Sequence, residues 1–332
     1  MSTQQGKGDR LLTGTIIFVS ILGILFFGYL AVKDNARKPT DNPFEYSVKP
    51  FDRVDNSLIS HSETATLPID LPQVYGLALD STGHLYVSGE NEVLKLDSEG
   101  KTISRMPTEG IVNCLAVAAS GDLYLGFEDH IEVSDSNGRK KAGWDSPGEK
   151  TILTSIALGK DFLYAADAGH AIVWKYDYSG KNAVPVGNKN PEKDIPGFLI
   201  PSRFFDVAVD PDGFLWAADT GRHQLESFNP DGGFRTSWGE ASLSIEGFCG
   251  CCNPSHFAIL QDGSFVTSEK GIPRVKIYNR LGRLVSVVAG PDMFDEGTIG
   301  LDTAVGENGQ IYILDPSRKS VRIFSKTEKD IE

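Results

Sequence analysis

Positive charge is scarce in this chain: 32 Lys and Arg stand against 45 Asp and Glu, a formal net charge of −13. No group of Lys or Arg is large enough to form a counterion-releasing stripe, and the acidic excess repels a phosphate backbone. Nucleic acid is thereby excluded as a partner. No serine sits in a recognisable nucleophile elbow, so a Ser-His-Asp triad has no support. A glycine loop of the kind that cradles phosphate is missing too. Cysteine is rare, with four in 332 residues. None of the four lies near the N-terminal apolar run, which excludes a lipoprotein anchor.

That run is the first positive feature. From Leu11 to Val32 there are 22 residues without a charge, rich in Ile, Leu and Phe, and as a helix they would span about 33 Å. Lys33 and Asp34 follow directly, where a cleaved leader would show small residues at its cleavage site. The segment reads as an uncleaved, single-pass transmembrane signal anchor that holds the following domain in the periplasm or outside the cell. The membrane is then one partner, and disulfides are permitted. The chain divides into an N-terminal tail (1–10), the anchor (11–32), a Pro-bearing stalk (33–61), a folded domain (62–326) and a C-terminal tail (327–332).

The composition of the domain, with 35 Gly and 17 Pro in the chain, points to many short strands and tight turns. One pattern returns six times: an alternating strand centred on Ala, a turn, then a second strand with an aromatic near its start. The common residue falls at Ala78, Ala116, Ala157, Ala208, Ala258 and Ala304, spaced by 38 to 51 residues, which is the period of a propeller blade. Five of the turns carry Gly83, Gly121, Gly213, Gly263 and Gly309. A third strand follows each pair, and a fourth in most repeats. The fold class is therefore all-β, a six-bladed β-propeller behind one N-terminal transmembrane helix. The sixth repeat runs out after its third strand, while an orphan strand, Glu63 to Ile69, precedes the first. This predicts that the N-terminal strand completes the last blade and closes the ring.

Segments such as Val207-Ala208-Val209-Asp210-Pro211-Asp212-Gly213 followed by Leu215-Trp216-Ala217-Ala218-Asp219-Thr220-Gly221 resemble the NHL-repeat propellers over about residues 62 to 325. The resemblance implies the fold. It leaves the activity open, because that family includes lyases, lactonases, sensor domains and scaffolds.

In a propeller, the starts of the innermost strands and the ends of the second strands converge on one mouth of the channel. Two residues before the common Ala stand Gly76, Cys114, Ser155, Asp206, His256 and Asp302. At the second-strand ends stand Asp167, Asp219, Glu269 and Asp315, which read either as an acidic face or as acceptors for backbone N–H groups in the following turns. Cys249, Cys251 and Cys252 lie in the connection into the fifth repeat, and His256 follows. Three chemistries fit that loop. One is a structural disulfide. The second is a Cu or Zn site of Cys249, Cys251, Cys252 and His256, with Asp206 and Asp302 as outer partners. The third is a redox dithiol formed by Cys249 and Cys252. Cys114 belongs to the repeat opposite His256 and joins only if the loop folds over the axis. Lys270 and Arg274 sit beside the same mouth.

Two functions remain. The first is a binding or scaffold module for a partner protein or redox complex at the cysteine-bearing face. The alternative is a metal-binding or thiol-redox protein, extending to a lyase- or lactonase-like enzyme. No catalytic residue and no certain cofactor can be assigned, and the aligned inner column holds one histidine where such enzymes use several polar ligands.

Overall fold

The computed structural model describes residues 5–35, 51, 53–193 and 195–327. Two units are distinguished, 1–47 and 48–332. In the first, the apolar N-terminal sequence forms an α-helix, Gln5–Asn35. Among the described residues, however, no helix is long and apolar enough to cross a membrane. The transmembrane anchor expected over 11–32 is thus corrected to a helix that does not span. The membrane as partner and the single-pass localisation with an external propeller fall with it. Most of the stalk (33–61) and of the C-terminal tail (327–332) lies outside the described residues.

The second unit holds six four-stranded antiparallel sheets, each an up-and-down meander from the axis outward. The innermost strands are Leu77–Leu79, Cys114–Val117, Leu153–Leu158, Val207–Val209, His256–Ile259 and Thr303–Val305, and they define blades 1 to 6. The repeat motif has a local cause. In blade 4, Asp210 Oδ1 accepts from the N–H groups of Asp212 and Phe214 at 3.0 and 2.9 Å, and Oδ2 accepts from Trp216 Nε1 at 2.9 Å. One aspartate thus closes the turn and ties down the polar tip of the second-strand aromatic. Gly213 follows with φ at +88°, a left-handed value that an L side chain resists. Blade 1 repeats this arrangement with Asp80, Tyr86 and Gly83.

The aromatics then fill the seams between blades. Trp216 of blade 4 meets Phe265 of blade 5 edge-on at 4.8 Å. Among the described residues there are six apolar clusters, one per seam. The core of this fold is therefore a ring of seams around a polar axis.

The ring is closed as the sequence predicts. The strand His61–Pro68 pairs antiparallel with Ser320–Lys326 as the outermost strand of blade 6. Arg322 of the latter strand is almost fully buried and forms an ion pair with Glu63 at 2.5 Å. Leu67 and Ile69, just before blade 1, complete the seam between blades 6 and 1.

Candidate functional site

The inner strands all begin at one mouth, and their first residues surround a small axial cavity. About 110 Å³ in volume, it is lined by Cys114, Ser155, Asp206, His256 and Asp302 among others. Blade 1 contributes Leu77 there, because its column position is Gly76. A Cβ at Gly76 would meet the Leu115 side chain at 2.9 Å and the Cys114 Cα at 3.3 Å, so blades 1 and 2 approach too closely for a side chain.

Several of these axial residues join neighbouring blades. The Val207 N–H donates to Ser155 Oγ at 3.3 Å, linking blades 3 and 4. Asp206 Oδ2 accepts from the Phe257 N–H at 2.8 Å, linking blades 4 and 5. Asp302 Oδ2 accepts from the Leu77 N–H at 2.7 Å, linking blades 6 and 1. His256 lies between the two carboxylates, with Nδ1 3.7 Å from Asp206 and 3.6 Å from Asp302. Burial raises both carboxyl pKa values, that of Asp302 to about 6, and the imidazole only partly offsets it. The Cys114 thiol is pushed far up, by burial first and then by the two nearby carboxylates. It is an unreactive thiol. It lines the same axial cavity as His256, while Cys249, Cys251 and Cys252 are not part of that lining. The axis is narrow enough that blades 2 and 5 share one cavity without any loop folding over it.

The second carboxylate column is buried. Asp167 accepts from the Ile152 and Gly169 N–H groups and from Trp174 Nε1, each at 2.9 Å. Asp219 holds the Leu199 N–H at 3.1 Å and pairs with Arg222. Glu269 holds the Cys249 N–H at 2.9 Å together with Arg274 and Lys276, each at 2.8 Å. Asp315 accepts from the Arg318 N–H at 3.3 Å and lies 3.5 Å from Arg322. All four are shielded from solvent. They form buried anchors for loops and turns in place of an acidic face. Burial works against ionisation of Asp167 and Glu269, yet their hydrogen-bond and cationic partners hold both below the usual carboxylate range.

The cysteine loop rests on the Glu269 anchor. Lys276, fully buried, donates to the Ile245 and Gly247 carbonyls at 3.0 and 2.6 Å. Desolvation brings its pKa down to about 8 despite Glu269. Beyond this clamp, Asn253 donates to the Cys249 and Lys270 carbonyls and accepts from the Lys270 N–H at 2.9 Å. His223 Nε2 donates to the Gly250 carbonyl at 2.6 Å. The result is one exposed thiol among two buried ones.

Cys249 and Cys252 are buried and Cys251 is exposed. Burial, followed by the charge of Glu269, raises the Cys249 thiol. Cys251 is lowered by a hydrogen bond from Cys252 and by Lys270, whose Nζ lies 3.7 Å from Cys251 Sγ. All four cysteines are free, so neither the structural disulfide nor a Cys249–Cys252 bridge is formed. The expected Cu or Zn set is not gathered either. His256 turns to the axial carboxylates, and among the described residues no three His, Cys, Asp or Glu side chains are placed to hold a metal.

The two parts of the mouth are contiguous. The Phe204 ring lies edge-on to His256 at 6.0 Å, and Lys270 Nζ sits 5.2 Å above the same ring. Around them, four of the six loops that lead into the inner strands at this mouth present an apolar side chain outward: Ile111 at 41% exposure, Leu199 at 52%, Leu243 at 39% and Ile299 at 54%. Sequence reasoning missed Phe204 and these four residues. Loops carry no alternation that separates an inward from an outward side chain.

No family model and no curated protein matches the chain. Solved structures match its shape. A streptogramin B lyase superposes with a TM-score of 0.56 at 11% identity, covering 82% of this chain and 100% of the lyase. The WD40 propeller domain of Doa1 gives 0.55 at 14% identity, covering 77% of this chain and 79% of that one. At these identities the likeness concerns the fold alone.

Proposed function

We propose that this propeller is a binding module that docks a partner protein on the mouth bearing Cys251, Lys270 and Phe204. The observation that carries the reading is the set of four outward apolar side chains, Ile111, Leu199, Leu243 and Ile299, on loops of that one face. Four apolar side chains on the loops of one face offer a partner surface to bury. Cavity size favours a macromolecule over a small ligand. The axial cavity holds about 110 Å³ and the cavity between blades 1 and 2 about 160 Å³, whereas pockets for small ligands run to about 300 Å³ or more. A lyase- or lactonase-like enzyme at the axis meets the same limit, since the space beside His256 admits little beyond water.

The test uses a photo-crosslinking residue at position 199 or 299, with position 281 on the opposite end of blade 5 as control. One discrete protein from the native source should be joined at 199 and 299 and not at 281. The purified partner should then bind the Leu199→Asp chain at least tenfold more weakly and the Leu281→Asp chain unchanged. Equal crosslinking from both ends, or an unaltered affinity for Leu199→Asp, would sink the reading.

A further inference from the structure

We propose that Cys251 is a covalent capture site for a disulfide, in which the Cys251 sulfur is the attacking atom and Cys252 and Lys270 support it. Three groups carry this inference. Cys251 is the one solvent-exposed thiol among four cysteines. The Lys270 ammonium stands 3.7 Å from its sulfur, where a positive charge stabilises a thiolate and stays with it during attack. The Cys252 thiol, next in the chain and buried, adds to the lowering of the same thiol's pKa. The arrangement is held from below by side chains that exchange does not consume. Asn253 bridges the Cys249 carbonyl to both backbone groups of Lys270, so the thiol-bearing loop and the ammonium-bearing turn move as one piece.

The exchange balances without an outside oxidant. The Cys251 thiolate attacks one sulfur of the incoming disulfide. A new S–S bond to Cys251 forms as the old one breaks, and the departing sulfur leaves as a thiolate that takes a proton from solvent. The product persists as a mixed disulfide, because its neighbours are poor resolving thiols. Cys252 is adjacent in sequence, and Cα atoms about 3.8 Å apart across a trans peptide lie below the usual disulfide span of about 4.4–6.8 Å. Cys249 is buried against Glu269 and held as the thiol. The site therefore captures a disulfide-bearing partner and is not built to oxidise or reduce it repeatedly.

This deepens the docking reading and rests on it only for the natural partner, so the experiment uses oxidised glutathione as probe. The reduced full chain should gain one glutathionyl group, mapped to Cys251, at pH 7 and at least tenfold faster than a free cysteine peptide of ordinary thiol pKa. Cys251→Ser should abolish the adduct. Lys270→Met and Cys252→Ser should each slow it several-fold while leaving it at Cys251, with unchanged melting curves as the folding control. The proposal is overturned by an adduct on another cysteine, by a rate no higher than that of the peptide, or by loss of the glutathionyl group to an internal disulfide. Its failure is distinguishable from failure of the docking reading, since Leu199→Asp tests the latter without involving any thiol.

Discussion

Blades 1–3 and blades 4–6 are built on the same four-stranded sheet but spend their axial positions differently. In the first half the column is Gly76, Cys114 and Ser155, none carrying a charge, and close approach of backbones supplies the contact. In the second half the same three positions are Asp206, His256 and Asp302, two carboxylates facing one imidazole. The long loops follow the same division. Those bearing Phe204 and Cys251 enter blades 4 and 5, and each is tied down by a buried acid, Asp219 or Glu269. A ring with one repeat geometry thus leaves the axial column of one half uncharged and loads that of the other with groups that cost stability. That is where function is expected when local rules are broken.

The comparison depends on the two halves being one folded body, and the strongest way to break it is to open the ring. Deleting residues 61–69 removes the strand paired with Ser320–Lys326 and exposes the seam that Leu67 and Ile69 fill. It also leaves Arg322 without Glu63. Breaking a buried ion pair by removing one partner costs about 3–5 kcal/mol, with Asp315 left to offset part of it here, and a domain of this kind has about 5–15 kcal/mol in total. The deleted chain is expected to lose cooperative unfolding altogether in urea, by circular dichroism and tryptophan fluorescence alike. If blades 4–6 kept a native transition while blades 1–3 melted, the halves would be separate structural units.

A smaller perturbation separates anchors from surface charges. Glu269→Gln leaves Lys276 and Arg274 buried beside a neutral amide, so a loss of about 3–5 kcal/mol is expected from denaturant titration. Glu128→Gln in blade 2 breaks a comparable pair with Arg203, but both side chains are more than half exposed, and the loss should stay below about 1 kcal/mol. Equal losses would mean that burial is not what distinguishes the two ion pairs. The Glu269 variant should also free the Cys249–Cys252 loop, which faster alkylation of Cys249 and Cys252 would report.

How far the sequence discloses this arrangement depends on whether a residue's role is set locally. The six alanines and the Asp-to-Gly turns obey a period, the orphan strand expected at 63–69 is the one piece left over from it, and each names its own place in the ring. The inner column was legible for the same reason, since Gly76 through Asp302 align without any knowledge of contacts. The burial of Glu269 was not, because its partner Lys276 is contributed by the next strand and its task is to hold a loop 20 residues back. Cys114 was placed apart from His256 because adjacency was judged around the circumference, while the two line one cavity across the axis. The N-terminal run was weighed by its count of uncharged residues, yet among the described residues no helix is long and apolar enough to cross a membrane.

The mildest test converts one axial charge in the second half into a neutral group like those of the first. Asp302 has its pKa raised to about 6, chiefly by burial, against 3.8 without the fold. The folded protein therefore holds this proton more tightly than the unfolded chain. Its contribution to stability is fully present below about pH 4 and is lost as pH rises through about 6. Two units correspond to about 3 kcal/mol at most, and partial access of solvent to the side chain reduces this to about 1–2 kcal/mol. Asp302→Asn keeps an oxygen to accept from the Leu77 N–H and carries no charge to desolvate. Between pH 4 and 7, the difference in unfolding free energy between variant and parent should shift in favour of the variant by that amount. By pH 7 the variant is expected to be the more stable protein. A difference that stays flat across this range would show that the axial carboxylates are no more costly than the neutral residues opposite them, and the contrast between the two halves would then lie in the loops alone.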